Sequence, residues 1–253
     1  MMTSSRNTGV LVIAHGSRSG RWVREVEEAV AQAGIHLPVV VGYLEMVEGR
    51  SIADGVRKLE RWGVRRILAV PLFVSSGSTH LEEIRYALGI NRGPCVPTDL
   101  QPIHPRAEVF WCPAMDTHSC MVDILTERVR SLSRCPERES LLLVAHGSDK
   151  PGFRQKWEKG LQRLSEILKN RFAFPAVDFA MLQVGDVRQK AERLKDFDPV
   201  LALPIFLSPG YFTEEVVPKA LEDIPCSYLG ETYLPHPAVS RWIEETVDRY
   251  GSL

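Results

Sequence analysis

Apolar and polar positions alternate along the chain in blocks of two different periods. Val10 to Ala14 (VLVIA) is a continuous apolar run of strand length. The polar turn His15-Gly16-Ser17-Arg18-Ser19-Gly20 follows it. Then Trp22, Val23, Val26, Ala29, Val30 and Ala33 recur at helical spacing, with Arg24, Glu25, Glu27 and Glu28 opposite. The same reading predicts strands at Val39–Leu44, Ile67–Val74 and Glu108–Cys112. It predicts helices at Ile52–Trp62, closed by Gly63, and at His80–Leu88 and Met121–Leu132. The stretch Asn91–Pro105 reads as a loop.

The second half repeats the first. Leu141–Ala145 (LLLVA) leads into His146-Gly147-Ser148-Asp149, so AHGSR and AHGSD lie 131 positions apart. Val70-Pro71-Leu72-Phe73-Val74-Ser75 matches Leu203-Pro204-Ile205-Phe206-Leu207-Ser208 at 133 positions, and Gly77 then falls on Gly210. His118 and His236 each precede a closing amphipathic segment and read as structural. Anchors in the same order imply two homologous units, divided near Arg134–Glu139 into residues 1–135 and 136–253. Continuous apolar strands alternating with helices predict an α/β protein with two parallel sheets covered on both faces. Right-handed crossovers then bring every β-to-α turn to one carboxyl edge, where such sheets bind ligands.

The repeat permits an internal comparison. Both halves keep histidine at the first turn, His15 and His146. After the second strand, Glu45 corresponds to Gln183. After the third, His80 corresponds to Thr213. The first half therefore offers two imidazoles and a carboxylate at one edge, a set that suits a borderline divalent metal. The same groups serve equally as proton acceptors near neutral pH without a metal. Ser17, Ser76, Gly77, Ser78 and Ser148 supply hydroxyls and backbone N–H groups suited to anions. Arg18, Arg21, Lys150 and Arg154 add charge, although each alone reads as a solvated surface group.

Composition narrows the classes. The 253 residues are 44% hydrophobic and 25% charged, with 31 Lys+Arg against 32 Asp+Glu. That balance gives no global basic field for nucleic acid. No apolar run approaches a bilayer span. The polar start Met1–Gly9 has no signal-peptide core. Five cysteines without a C-x-x-C pair argue against a disulfide framework or structural zinc, and point to a reducing cytoplasm. No G-x-S-x-G, G-x-G-x-x-G or Walker pattern follows the first strand.

The runs VLVIAHGSR, YLE and VPLFVSSGSTHLEEI resemble the sirohydrochlorin chelatases, the class II chelatases that insert cobalt or iron into sirohydrochlorin. The tandem organisation is similar to the long, two-repeat members. The resemblance implies a bilobal fold with the tetrapyrrole between lobes. It assigns the metal to His15, Glu45 and His80. A macrocycle held there is expected to set its carboxylates on the Ser/Gly turns and nearby groups, with Ser17, Arg18, Ser76, Gly77, Ser78, His146 and Ser148 as the candidates. It also implies that Co2+ or Fe2+, or alternatively Ni2+, is a substrate, with no organic cofactor. The product would enter siroheme or cobalamin synthesis. A monomer fits the tandem repeat. The alternatives are a tetrapyrrole or metal carrier without turnover, a protoporphyrin ferrochelatase and, ranked lower, a metal-dependent hydrolase. Ser78-Thr79 departs from the family, whose members often have a second glycine there.

Overall fold

The computed structural model describes residues 7–251 apart from Asp198; residues 1–6 of the polar start lie outside it. Strands and helices alternate throughout. The first set is β1 (Thr8–Ala14), α1 (Gly20–Ala31), β2 (Val39–Tyr43), α2 (Ile52–Arg61), β3 (Arg66–Pro71), α3 (Thr79–Ala87), β4 (Glu108–Trp111) and α4 (Ser119–Leu132). The second is β5 (Ser140–Ala145), α5 (Phe153–Phe172), β6 (Ala176–Met181), α6 (Val187–Leu194), β7 (Val200–Ile205), α7 (Val217–Ala220), β8 (Cys226–Tyr228) and α8 (Pro237–Gly251). A π-helical turn, Phe212–Val216, runs directly into α7.

Two four-stranded parallel sheets result, ordered β2-β1-β3-β4 and β6-β5-β7-β8. The identical strand order bears out the repeat. β1 and β5 are central and buried along their whole length, as continuous apolar runs require when helices cover both faces. In the first unit, Leu11, Ile13, Val56, Leu59, Ile67 and Ile84 form a core between sheet and helices. Leu142, Val144, Ala191, Val200 and Val217 do the same in the second. α2 starts where Ser51 and Asp54 form a reciprocal cap.

The chain divides into two compact units, residues 1–115 with 239–253, and residues 116–238. These units differ from a linear division into 1–135 and 136–253. α4 packs on α5 and β7 within the second unit. α8 belongs almost wholly to the first, where Tyr250 lies against Phe110, with ring centroids 5.5 Å apart. Periodicity identifies an amphipathic helix but not the core that its apolar stripe joins. Both preceding histidines cap these helices: His118 Nδ1 accepts from the Cys120 N–H at 3.3 Å, and His236 Nδ1 from the Ala238 N–H at 3.1 Å. All five cysteines are free. Among the described residues, no helix is long and apolar enough to cross a membrane.

Candidate metal centre

The ladder between β1 and β2 extends past the strand ends. Leu44 N–H donates to Ala14 C=O at 2.9 Å, and Glu45 N–H to His15 C=O at 3.0 Å. Continued parallel pairing thus sets Glu45 beside His15. The approach requires glycine at position 16. Gly16 has φ +99°, and a Cβ there would lie 1.9 Å from the Glu45 carbonyl oxygen. From the other side, Leu72 N–H donates to Ile13 C=O at 2.7 Å, holding the β3 exit beside β1. Ser75 then shapes the turn: its Oγ accepts from Gly77 N–H at 3.0 Å. Ser78 opens α3 with extended backbone, which places His80 in the first turn of that helix.

The three residues selected by internal comparison therefore meet at one sheet edge. His15 and His80 pack edge to face, with ring centroids 4.8 Å apart. His15 Nδ1 lies 3.1 Å from Gly16 C=O, a group that only accepts, so Nδ1 carries the proton and Nε2 the lone pair. That lone pair faces Glu45 Oε1 at 3.5 Å. Two acceptors this close call for a cation or a proton between them.

His80 Nδ1 contacts Glu83 Oε1 at 3.0 Å, leaving Nε2 for a ligand. Glu83 Oε2 in turn accepts from Thr98 Oγ1 at 3.0 Å, so the long loop after α3 helps to aim the histidine. Outer carboxylates of this kind fix ring orientation and raise ligand basicity. Sequence reasoning missed Glu83; the available signal was its i+3 spacing from His80. Partial burial, with the charge of neighbouring His15, pushes the His80 pKa below the usual imidazole value. The neutral, ligating form is thereby favoured.

The second unit repeats the scaffold with a different outcome. Leu182 and Gln183 N–H donate to Ala145 and His146 C=O at 2.9 and 3.0 Å. His146 Nδ1 lies 3.2 Å from Gly147 C=O. Its Nε2, however, accepts from the Gln183 side-chain amide at 3.3 Å. The cation that Glu45 would call for is replaced by an amide proton. The ring that meets His146 belongs to Phe212, with centroids 5.0 Å apart, and not to Thr213. Thr213 is buried, and its hydroxyl bonds both Gly210 N–H and C=O at 3.0 Å. Pro218 lacks the N–H for an α-helical bond, and Val217 N–H reaches back five residues to Phe212 C=O. This helix also starts one residue earlier than α3, with Glu214 N–H bonded to Gly210 C=O at 2.8 Å, so Phe212 takes the second helical position that His80 holds in α3.

The residues placed around a macrocycle fall into two groups. Ser17 Oγ accepts from Ser19 N–H at 3.1 Å, and Ser148 Oγ from Lys150 N–H at 3.2 Å, so each shapes its own turn. Ser76 and Ser78 are half-buried at the α3 turn, Gly77 is buried, and Arg18 is exposed.

The CbiX family model matches the chain twice, over residues 9–132 and 140–250. The chain is 31% identical over 88 residues to a sirohydrochlorin cobaltochelatase of Methanothermobacter thermautotrophicus, covering 34% of this chain and 60% of that relative. It is 24% identical over 135 residues to a sirohydrochlorin cobaltochelatase of Methanopyrus kandleri, covering 48% of this chain and 94% of the relative. In fold it is similar to the crystal structure of the sirohydrochlorin chelatase SirB from Bacillus subtilis subspecies spizizenii in complex with cobalt. The TM-score is 0.72 at 16% identity, over 96% of this chain and 94% of that one. With each half matching the same model, the chain belongs to the CbiX family.

Proposed function

We propose that this protein inserts a divalent metal, cobalt or iron, into sirohydrochlorin, and that the metal is received by His15, Glu45 and His80. The observation that carries the reading is the Nε2 lone pair of His15 facing the Glu45 carboxylate at 3.5 Å, where the second unit has an amide donor. The names of the cobaltochelatase relatives and the family resemblance support the tetrapyrrole as acceptor.

Metal insertion exchanges one divalent cation for two pyrrole N–H protons. It changes no oxidation state and needs no nucleotide. His15 and His80 hold the incoming cation through Nε2, and Glu45 contributes charge. As the metal passes to the macrocycle, the freed imidazoles accept the departing protons. Glu83 stabilises the imidazolium formed on His80. Glu45 is half-exposed, which lets the cation be taken from solution and released. Holding macrocycle and metal together lowers the entropic part of the barrier.

The test is metallation of excess sirohydrochlorin by purified protein under anaerobic conditions, followed by the visible spectrum with Co2+ and Fe2+ in competition. Turnover beyond one equivalent is expected, and loss in His15→Ala and His80→Ala. Conversion of one equivalent only would make the protein a carrier. Faster metallation of protoporphyrin would make it a ferrochelatase of that substrate. Full activity in both first-unit variants, with loss in His146→Ala, would move the site to the second unit.

A further inference from the structure

The two histidines of the first unit are fixed by different means. His15 owes its tautomer to the backbone, because Nδ1 faces the Gly16 carbonyl. His80 owes its tautomer to a chain of side chains. Leu100 N–H donates to Thr98 Oγ1 at 3.1 Å. The Thr98 hydroxyl donates to Glu83 Oε2 at 3.0 Å, and Glu83 Oε1 meets His80 Nδ1 at 3.0 Å. A carboxylate only accepts, so this chain keeps the proton on Nδ1 and the lone pair on Nε2.

Thr98 and Leu100 lie in a segment that only the first unit has. There, twenty residues, 88–107, join α3 to β4; in the second unit five residues, 221–225, join α7 to β8. The long segment is fastened along α3. Asn91 Nδ2 donates to Glu82 Oε2 at 2.8 Å, and Ile103 N–H donates to Ala87 C=O at 2.7 Å. Val96 is buried, and Leu100 and Ile103 pack on the core of the first unit. Thr98, between Val96 and Leu100, is half-buried on this anchored stretch.

The second unit offers the contrast. Glu215 lies three residues after Phe212, as Glu83 lies three after His80. It is exposed, whereas the Glu83 side chain is only 17% exposed. A carboxylate thus occurs in both units, but the hydroxyl-bearing segment that holds it occurs only beside His80. A freely rotating glutamate loses rotamer freedom each time it orients an imidazole. Thr98 removes that freedom in advance.

We propose that Thr98 is a positioning residue for the metal site: by holding Glu83 it keeps His80 in the tautomer that ligates through Nε2, and the segment 88–107 thereby sets metal affinity. The proposal rests on the chelatase reading above, in which His80 receives the metal. Thr98 touches neither the metal nor the substrate; its effect falls on uptake of the cation.

The experiment compares wild-type protein with three variants. Thr98→Val keeps the shape and removes the hydroxyl, Thr98→Ala removes it without the branched bulk, and Thr98→Ser keeps it. The His80 tautomer is read in metal-free protein from the 15N shifts of its ring at about pH 8, above the imidazole range; His80→Gln identifies the signals. Co2+ binding is titrated separately. Thr98→Val and Thr98→Ala should move His80 from the Nδ1–H toward the Nε2–H form. They should weaken Co2+ binding about threefold to tenfold, less than removal of an outer partner that touches the ligand itself. Thr98→Ser should keep both readings at wild type. An unmoved tautomer, or unchanged Co2+ affinity, in a hydroxyl-free variant that melts like wild type overturns the proposal and leaves the chelatase reading standing. Wild-type protein that takes up no Co2+ overturns both.

Discussion

Glu45→Gln imports into the first unit the arrangement that the second already has. The amide should donate to His15 Nε2, as Gln183 does to His146 at 3.3 Å. Two quantities set the effect on metal affinity. A divalent cation bound between His15 Nε2 and Glu45 Oε1, which lie 3.5 Å apart, loses about 2 kcal/mol of attraction even at the dielectric constant of water, the appropriate limit for a half-exposed side chain. The new amide–imidazole bond must also break before Nε2 can ligate, which costs about 1 kcal/mol. Together they weaken Co2+ binding by about 3 kcal/mol, roughly 150-fold. Titration of purified protein with Co2+ reads this directly, and melting should stay near wild type because Glu45 holds its place through backbone bonds. An affinity within about fivefold of wild type would refute the reasoning, since neither the charge nor the lone pair would then contribute to the site.

Gly16→Ala should remove metal binding and lower stability by a few kcal/mol, because a positive φ and a Cβ 1.9 Å from the Glu45 carbonyl force that segment away; calorimetry and Co2+ titration check both effects. The lowered His80 pKa means that the folded state takes up this proton less readily than the unfolded chain. His80 therefore makes stability fall as pH drops from about 6.5 toward its folded value. Metal uptake should persist somewhat below pH 6.5 and then fall as the imidazole charges; Glu83→Gln, which removes the facing carboxylate, should extend uptake to lower pH. Gln183→Glu with Phe212→His should create a second Co2+ site, seen as two equivalents bound instead of one. An unchanged stoichiometry in the folded double variant would show that the second scaffold differs in more than these two side chains.

The fold was legible because it rests on local signals. β1 and β5 are apolar runs too continuous for a half-exposed strand, and Gly63 closes α2 at φ +81°. The convergence of His15, Glu45 and His80 was legible because parallel topology fixes where β-to-α turns fall. What escaped depends on distance or on local backbone detail. The core joined by α4 or α8 is decided by packing between segments far apart in the chain. Glu83 gains its role only once Thr98 folds back onto it. The exchange of Thr213 for Phe212 follows from a helix that starts one residue earlier, at Gly210 where α3 starts at Ser78, with the π-helical turn taking up the extra residue. An offset of 133 positions cannot register that change, because the alignment stays the same while the helix widens.

Both units inherit the same ladder extension, the same glycine turn and the same Nδ1-to-carbonyl bond on histidine. These features fix the imidazole tautomer and aim Nε2 outward in each unit, whatever lies opposite. The residue opposite then decides the chemistry. A carboxylate leaves the lone pair in need of a cation; an amide satisfies it and closes the site. The same backbone bonds hold the sheet edge in both halves, and specificity rests on side chains placed upon that scaffold. The first unit thereby leaves two acceptors facing each other at its edge, while the second presents a phenyl ring against its histidine.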